Sequence, residues 1–312
     1  MHFDMKRLIA LIALAAAVVA AATSCKDRFK TNEDVKVGPE ISSVELNKHE
    51  ETLVVPGGTL QLTATVYPED VTNKKVTWSS SMKRVATVDQ NGLVTGHLPG
   101  NVDITVTTQV GGKTDVCHLT VKGPDPKAVD LGLSVKWADI NVGALSESDP
   151  GSYFAWGEVT PKDSYIKDNY KYNVDIPNPP TPPSVLPASE DAAAVNLGGN
   201  WRMPTKAELE ELLSSCTWER TSVDGMKGWK VSRNGKAIFL PFAGGWDTEQ
   251  IAFNEKATYF SSTYKGASQS AYDGYFCYAY SLFISDDDRE DFKHYIGGFA
   301  CCYGHSVRAV CP

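Results

Sequence analysis

The chain has 312 residues, 22% of them charged and 42% hydrophobic, with a formal net charge of −8. That length fits about two domains of roughly 100–200 residues each, and the ordinary hydrophobic share excludes a wholly disordered protein. An acidic balance without any basic block or stripe argues against nucleic acid as a partner.

The first element is a targeting signal. Lys6 and Arg7 precede LIALIALAAAVVAAA (8–22), an apolar run of 15 residues. That is shorter than the about 20 residues that span a bilayer, and it suits the core of an export signal. Ala22-Thr23-Ser24-Cys25 follows. Small residues running into a cysteine resemble the bacterial lipobox, with Ala22 in place of the usual leucine. The resemblance implies lipidation of Cys25 and cleavage before it; the alternative is an ordinary secretory signal with an incidental cysteine. Loss of residues 1–24 removes Lys6, Arg7 and Asp4 and takes the net charge from −8 to −9. After Cys25, KDRFKTNEDVKVGPE (26–40) is polar and reads as a flexible tether. Its Lys26-Asp27 resembles in part the export signal that places Bacteroidetes-type lipoproteins on the cell surface. The expected location is therefore the outer membrane, lipid-anchored and surface-exposed, in an oxidising compartment.

Over residues 41–121 the hydrophobic period is two. Leu60, Leu62, Ala64 and Val66 alternate with polar residues in TLQLTATV, and Val102, Ile104 and Val106 do so in VDITVTTQV. Alternation sends one face of a strand into a core. Gly111-Gly112 before CHLTV (117–121), and Asn91-Gly92 between ATVD and LVTG, predict two hairpins. Short strands at this spacing predict a β-sandwich. The stretch VTWSSSMKRVATVDQNGLVTGHLPGNVDITV (76–106) resembles the bacterial Ig-like group 2 domain through W-S-S, V-A-T-V-D, N-G-x-V-T-G and x-I-T-V. The resemblance implies a core tryptophan at Trp78, turn glycines at Gly96 and Gly100, and a spacer or adhesive role on bacterial surfaces. Cys117 sits on the inward phase with no partner cysteine in the unit, which predicts a buried free thiol.

KGPDPK (122–127) is a short linker, and residues 128–312 form a second domain large enough for one sizeable core. Val129, Leu131, Leu133, Val135 and Trp137 share one face of an expected first strand. PNPPTPPSVLP (177–187) carries six prolines and reads as an extended surface loop, with a proline-rich ligand for a partner as the alternative. In WRMPTKAELEELL (201–213), Pro204 ends an extended segment, and Thr205 to Glu208 fits a capping box. Glu208, Glu210 and Glu211 suit the positive end of the helix dipole, and Leu209, Leu212 and Leu213 form one buried stripe. These glutamates are read as helix-start charges rather than acid–base catalysts.

DLGLSVKWADINVG, YFAWGEVTPK, EDAAAVNLGGNWRMPTKAELEELL, GKAIFLPFAGG, YFSSTY and YGHSVRAV occur in that order. Together they resemble the Fibrobacter succinogenes major paralogous domain, common in lipoproteins of gut Bacteroidetes. The resemblance implies an α+β C-type lectin-like fold, in the variant used by formylglycine-generating enzymes. It also implies that the first strand (129–137) pairs with the last (305–311).

A calcium-dependent sugar site would need Glu-Pro-Asn or Gln-Pro-Asp with Trp-Asn-Asp; Gly244-Gly245-Trp246-Asp247 only approaches this. SDDDRED (285–291) is read as a solvated acidic turn, with Asp286, Asp287 and Asp288 as the alternative cation ligands. Cys301-Cys302 and Cys311 lie in the ending S-V-R-x-V (306–310) of the paralogous domain, not in an oxidase context, so no catalytic residue is assigned. An enzyme of the formylglycine-generating type is the least favoured reading. His294 and His305 lack metal-ligand spacing, and no cofactor is expected. The five cysteines after Cys117 leave at least one unpaired within the domain, with connectivity open.

Eight tyrosines lie from Tyr259 to Tyr303. In YFCYAYSLFI (275–284), Phe276, Tyr278, Tyr280, Leu282 and Ile284 are expected on one face of a buried strand. Tyr264, Tyr272, Tyr295 and Tyr303, outside that strand, are candidates for an adaptable ligand surface. Trp246 and Asp247 join them, since an indole can stack on a sugar ring; a core role for Trp246 is the equal alternative. The resulting expectation is a surface lipoprotein recognising a glycan or protein ligand through its C-terminal domain, carried on an Ig-like stalk. Its rival is a structural component of a surface or fimbria-like assembly.

Overall fold

The computed structural model describes residues 39–247, 249–270, 274–289 and 293–312. The export signal (1–24), Cys25, nearly all of the tether, and Tyr272 lie outside the described residues. Nine strands build the first unit: β1 (Ser43–Leu46), β2 (Glu50–Val54), β3 (Thr59–Gln61), β4 (Ala64–Tyr67), β5 (Val76–Ser80), β6 (Ala86–Val88), β7 (Leu93–Gly96), β8 (Gly100–Thr108) and β9 (Thr114–Lys122). One sheet runs β2-β9-β8-β5, a second β3-β7-β6, and β1 pairs with β4. Leu62, Val94, Ile104, Val106, Cys117 and Leu119 form their shared core, each at 2% exposure or less. Both expected hairpins are present, β8–β9 around Gly111-Gly112 and β6–β7 around Gly92. Gly92 has φ of +79°, and a Cβ there would lie 2.8 Å from the Trp78 ring. Only glycine lets that turn press on the indole.

Two expectations need correction here. TLQLTATV is not one strand: β3 pairs with β7, while β4 pairs with β1. The run changes sheet at Leu62-Thr63, where the Thr63 N–H goes to the Asn47 side chain, yet the inward parity of its apolar residues is kept. Trp78 is half-buried at the rim of the core rather than inside it. Cys117 is a buried free thiol.

The C-terminal domain comprises β10 (Ala128–Val129), β11 (Lys136–Ala138), β12 (Thr217–Val223), β13 (Met226–Arg233), β14 (Lys236–Pro241), β15 (Gly245–Trp246), β16 (Gln250–Ile251), β17 (Lys256–Ser270), β18 (Gly274–Ser285), β19 (His294–Ala300) and β20 (Val310–Cys311). Its helices are α1 (Ala192–Leu197) and α2 (Lys206–Ser215). The sheets are β10-β11-β20, β12-β13-β14, β17-β18-β19 and the pair β15-β16.

Helix α2 begins as the sequence requires. Thr205 and Glu208 form a reciprocal capping box, and Arg202 grips the same Glu208 carboxylate through both terminal nitrogens. Burial would raise the Glu208 pKa, but Arg202 and the Thr205 N–H outweigh it and hold the carboxyl below its ordinary value. Leu209 and Leu212 enter the core. Glu210 pairs with Lys206, and Glu211 accepts from the Ser134 N–H and hydroxyl, tying the 130–135 loop to the helix. Helix α1 is capped by Asp191, which also accepts from the Met203 N–H at 2.8 Å.

The first strand is broken. Gly132, at φ of +69°, turns the chain so that β10 pairs back on β11. Only β11 meets the end of the chain, Trp137 opposite Val310 and Lys136 opposite Cys311. The final segment, 304–311, threads the whole domain. It bridges Gly304 to Trp246, His305 to Phe154, Ser306 to Tyr259 and Val310 to Arg202. The motif S-V-R-x-V is thus a central spine, and residues 304–310 are all buried. Arg308, 1% exposed, donates to Asn141 Oδ1, Phe239 O, Ala138 O and Asp139 O at 2.8–3.1 Å.

Strand β18 is a buried strand, although two residues of the expected face are less deeply covered. As the central strand it is covered on both faces: Cys277, Ala279 and Ser281 are buried along with Leu282 and Ile284, while Tyr278 and Tyr280 are only half-buried. The 177–185 part of the proline-rich loop is mostly exposed, and Leu186 turns inward. The irregular segment before it is core. Tyr153, Phe154, Trp156, Tyr165, Tyr170 and Tyr172 are all at 5% exposure or less.

Candidate functional site

An exposed aromatic face lies across β18 and β19. Their register sets Phe283 opposite Tyr295, Ser281 opposite Gly297 and Ala279 opposite Phe299. Period-two alternation therefore places Tyr295, Gly297 and Phe299 on one side of β19, with Phe283 beside them. The Phe283 and Phe299 rings are 5.8 Å apart and within 4° of parallel. Tyr295 is 5.0 Å from Phe283 and 6.3 Å from Phe299, tilted by 33° and 30°. A Cβ at Gly297 would be 2.9 Å from the Tyr295 ring and 3.2 Å from that of Phe299, so the glycine lets both rings lean inward. Tyr295 is 36% exposed, and the two phenylalanines are half-buried. The result is a cluster of three rings, two of them parallel and the third tilted, with a phenol at one corner.

Beneath it, His305 stacks edge-on to Phe260 at 4.8 Å and to Phe299 at 6.2 Å. Burial lowers the His305 pKa to about 3, so the ring is neutral. Its Nδ1 has no hydrogen-bond partner among the described residues.

The other sequence candidates lie elsewhere. One face of Trp246 is covered: the Arg84 guanidinium of the first unit sits 4.4 Å above its ring, and its Nε1–H donates to Asp163 O. Tyr153 packs 5.8 Å from the same ring. Trp246 is therefore a contact between the two units and not an open stacking platform. Asp247 shapes a turn, its carboxylate accepting from the Glu249 N–H and its carbonyl from the Tyr165 N–H. Tyr264 points inward, 5.6 Å from Trp156, with its hydroxyl on Cys277 Sγ. Tyr303 packs against the same core cluster, 6.4 Å from Phe276. Of the three described tyrosine candidates, Tyr264, Tyr295 and Tyr303, only Tyr295 belongs to the exposed face; Tyr272 lies outside the described residues. Phe283 and Phe299 were missed, although Tyr295, Gly297 and Phe299 at alternate positions carry the strand period that points to them.

The acidic turn faces basic side chains. Asp286 meets Arg220 at 3.3 Å and Lys227 at 2.8 Å, and Asp288 meets Arg220 at 2.8 Å. Arg289 beside Asp287 lowers its pKa to about 2. As cation ligands, Asp286, Asp287 and Asp288 would have to give up these partners. Among the described residues no three His, Cys, Asp or Glu side chains converge as a metal site.

A cleft of about 430 Å³ runs between the two units, lined by Asn101, Thr120 and Lys122 on one side and by Ser152, Thr160 and Asn196 on the other. None of the aromatic face's three rings lines it, and its lining mixes hydroxyl, amide and backbone groups with one lysine and one aspartate, Lys122 and Asp125.

Residues 40–118 match the family described as bacterial Ig-like domain (group 2). An uncharacterized protein of Clostridium acetobutylicum is 43% identical over 97 residues, 30% of this chain and 24% of that protein. An alpha-L-arabinofuranosidase of Bifidobacterium longum subsp. longum is 43% identical over 98 residues, 30% of this chain and 9% of the relative. An Ig-like virion protein of Serratia phage KSP90 is 43% identical over 82 residues, 26% of this chain and 31% of the relative. The chain therefore spans under a third of the length of each of these relatives. The crystal structure of an S-layer protein aligns with 83% of this chain and 40% of its own, at 15% identity and a TM-score of 0.20, which carries no argument. The first folded unit, residues 40–118, is a bacterial Ig-like domain of group 2.

Proposed function

We propose that the chain is a lipid-anchored protein of the bacterial surface whose C-terminal domain binds glycan. In this reading the domain is of the Fibrobacter succinogenes major paralogous type, with a C-type lectin-like fold. The face of Phe283, Tyr295 and Phe299 carries the ligand class. Flat apolar rings match the C–H faces of sugar rings, and a tyrosine supplies contact area at low conformational cost together with a hydrogen-bonding hydroxyl.

The setting is supported from the other end of the chain. The apolar run 8–22 leading into Cys25 supplies the anchor, and relatives of the Ig-like domain include an alpha-L-arabinofuranosidase and a virion protein. Both fit a carbohydrate-associated or surface module. Binding is favoured over thiol catalysis because burial pushes the Cys301 thiol well up and that of Cys302 to about 11. A nucleophilic cysteine needs the opposite shift.

The test is binding of the chain, from Cys25 onward, to an array of glycans, mucin fractions and plant polysaccharides, with calcium and with chelator. The expected result is a signal that chelator leaves intact and that Tyr295→Ala weakens. A blank array from folded protein counts against the glycan reading. Stoichiometric capture of neighbours by cross-linking in cells without added ligand would then favour surface assembly, the setting that the virion relative brings to mind.

A further inference from the structure

Two buried thiols face each other across the sheet that carries the aromatic face. The β18–β19 register ends with Tyr278 opposite Ala300. The next rung sets Cys277 opposite Cys301, and there the Cys301 N–H donates to the Cys277 carbonyl at 2.9 Å. Opposed residues at a hydrogen-bonded rung of an antiparallel pair have Cα atoms about 5.5 Å apart, with both side chains on one face. A disulfide spans Cα separations of about 4.4–6.8 Å. Both cysteines belong to the same core cluster, at 4% and 0% exposure. The Cys277 thiol also has a tyrosine beside it, the Tyr264 hydroxyl lying 3.5 Å from its Sγ. The other described cysteines of the domain sit elsewhere in the fold or beside the pair: Cys216 caps the end of α2, Cys311 lies in β20 and Cys302 follows Cys301.

We propose that Cys277 and Cys301 form a cross-strand disulfide when the chain folds in an oxidising compartment, stapling the two strands that present Phe283, Tyr295 and Phe299. The compartment rests on the export reading above; the pairing rests on the register alone. The oxidant is the disulfide of a thiol–disulfide oxidoreductase. The Cys277 thiolate attacks it, forming a mixed disulfide and releasing one enzyme thiol. The Cys301 thiolate then attacks the Cys277 sulfur and expels the second. Two thiols lose two protons and two electrons, and the enzyme disulfide becomes a dithiol. Burial raises both thiol pKa values in the folded chain, so the exchange occurs before the sheet closes over them. Afterwards the bond is shielded from reductant.

Two measurements separate pairing from compartment. In the first, the whole chain is refolded in a glutathione redox buffer, alkylated, and its peptides mapped without reduction. The expected product joins the Cys277 and Cys301 peptides, two hydrogens lighter than their sum, and Cys277→Ser with Cys301→Ser lowers Tm by several degrees relative to the oxidised chain. Alkylation of both cysteines, or a Cys277–Cys302 link, overturns the pairing. In the second, producing cells are lysed into alkylating agent. Finding the disulfide supports the compartment. Finding free thiols, when refolding does form the bond, overturns the compartment half of the proposal and leaves the strand geometry standing.

Discussion

In the Ig-like domain a side chain's fate follows from its parity along a strand, whereas in the C-terminal domain much of the core hangs on backbone that belongs to no sheet. Val102, Ile104 and Val106 are buried because they alternate, and the ladder satisfies their peptide groups. Tyr153, Trp156, Tyr165 and Tyr170 are buried just as deeply on irregular chain. There the polar tips of aromatic residues replace the missing ladder. The Tyr170 hydroxyl donates to Trp156 O, the Tyr153 hydroxyl to Ala243 O, the Tyr165 hydroxyl to Tyr153 O and the Trp156 indole to Ser261 O. A buried carbonyl without a partner costs about 1–3 kcal/mol, so these residues are structural hydrogen-bond donors as much as hydrophobic bulk. The comparison teaches that a tyrosine-rich stretch is not in itself a binding surface.

The sharpest way to break this comparison is Arg308→Leu. Four acceptors around a fully buried guanidinium lose their donors, and the expected loss is about 3 kcal/mol or more. Urea unfolding should show a destabilised C-terminal transition and an unchanged Ig-like one. Ile104→Ala should do the reverse, costing about 2–5 kcal/mol in the Ig-like domain alone. If either variant shifted both transitions equally, the two cores would not be independent.

A smaller effect separates ring from hydroxyl. Tyr259→Phe keeps the buried ring and removes only the bond from its hydroxyl to Pro241 O at 2.7 Å. Pro241 O keeps the Ala243 N–H as a second donor, so the expected cost is about 0.5–1.5 kcal/mol, and a loss near zero in the same assay would mean that the hydroxyl adds nothing to that carbonyl. The buried neutral His305 adds a pH dependence. Its pKa is depressed in the fold, so the unfolded chain binds more protons between about 3 and 6.5. This stability is fully present above pH 6.5 and is lost as pH falls through that window, by up to about 1.4 kcal/mol per unit. His305→Phe should flatten that part of the profile; an unchanged slope would exclude His305 as its source.

The smallest expected effect lies between the domains. Arg84→Ala removes the cation from the Trp246 ring, a contact of about 0.5–1 kcal/mol for a partly exposed site. Tryptophan fluorescence should shift towards that of a solvated indole, with both unfolding transitions nearly unchanged.

How much of this was legible depended on whether local pattern or distant partners decide a residue's place. The two hairpins, the capping box at Thr205 and the buried phase of Ile104 follow from short-range chemistry, and the sequence shows them. The split of TLQLTATV between two sheets does not, because alternation looks the same whichever partner a strand takes. The role of Arg308 was hidden for a similar reason: its acceptors come from residues 138, 139, 141 and 239, far away along the chain. In the candidate site, Tyr295 was visible by type, while type alone left Trp246 evenly divided between a ligand face and a packed position. What distinguishes them is cover: an arginine from the other domain lies over Trp246, while Tyr295 is open.

The measurement that tests the central claim most directly compares open with merely exposed aromatics. Retention of the chain on immobilised mucin and plant polysaccharides should be measured for wild type, Tyr295→Ala, Phe299→Ala and Tyr275→Ala. Tyr275 is 47% exposed and lies outside the three-ring face. The account expects about tenfold or greater loss of affinity for the first two variants, as for anchoring side chains at an interface, and wild-type binding for the third. Equal binding by all four proteins, each shown to be folded, would contradict it.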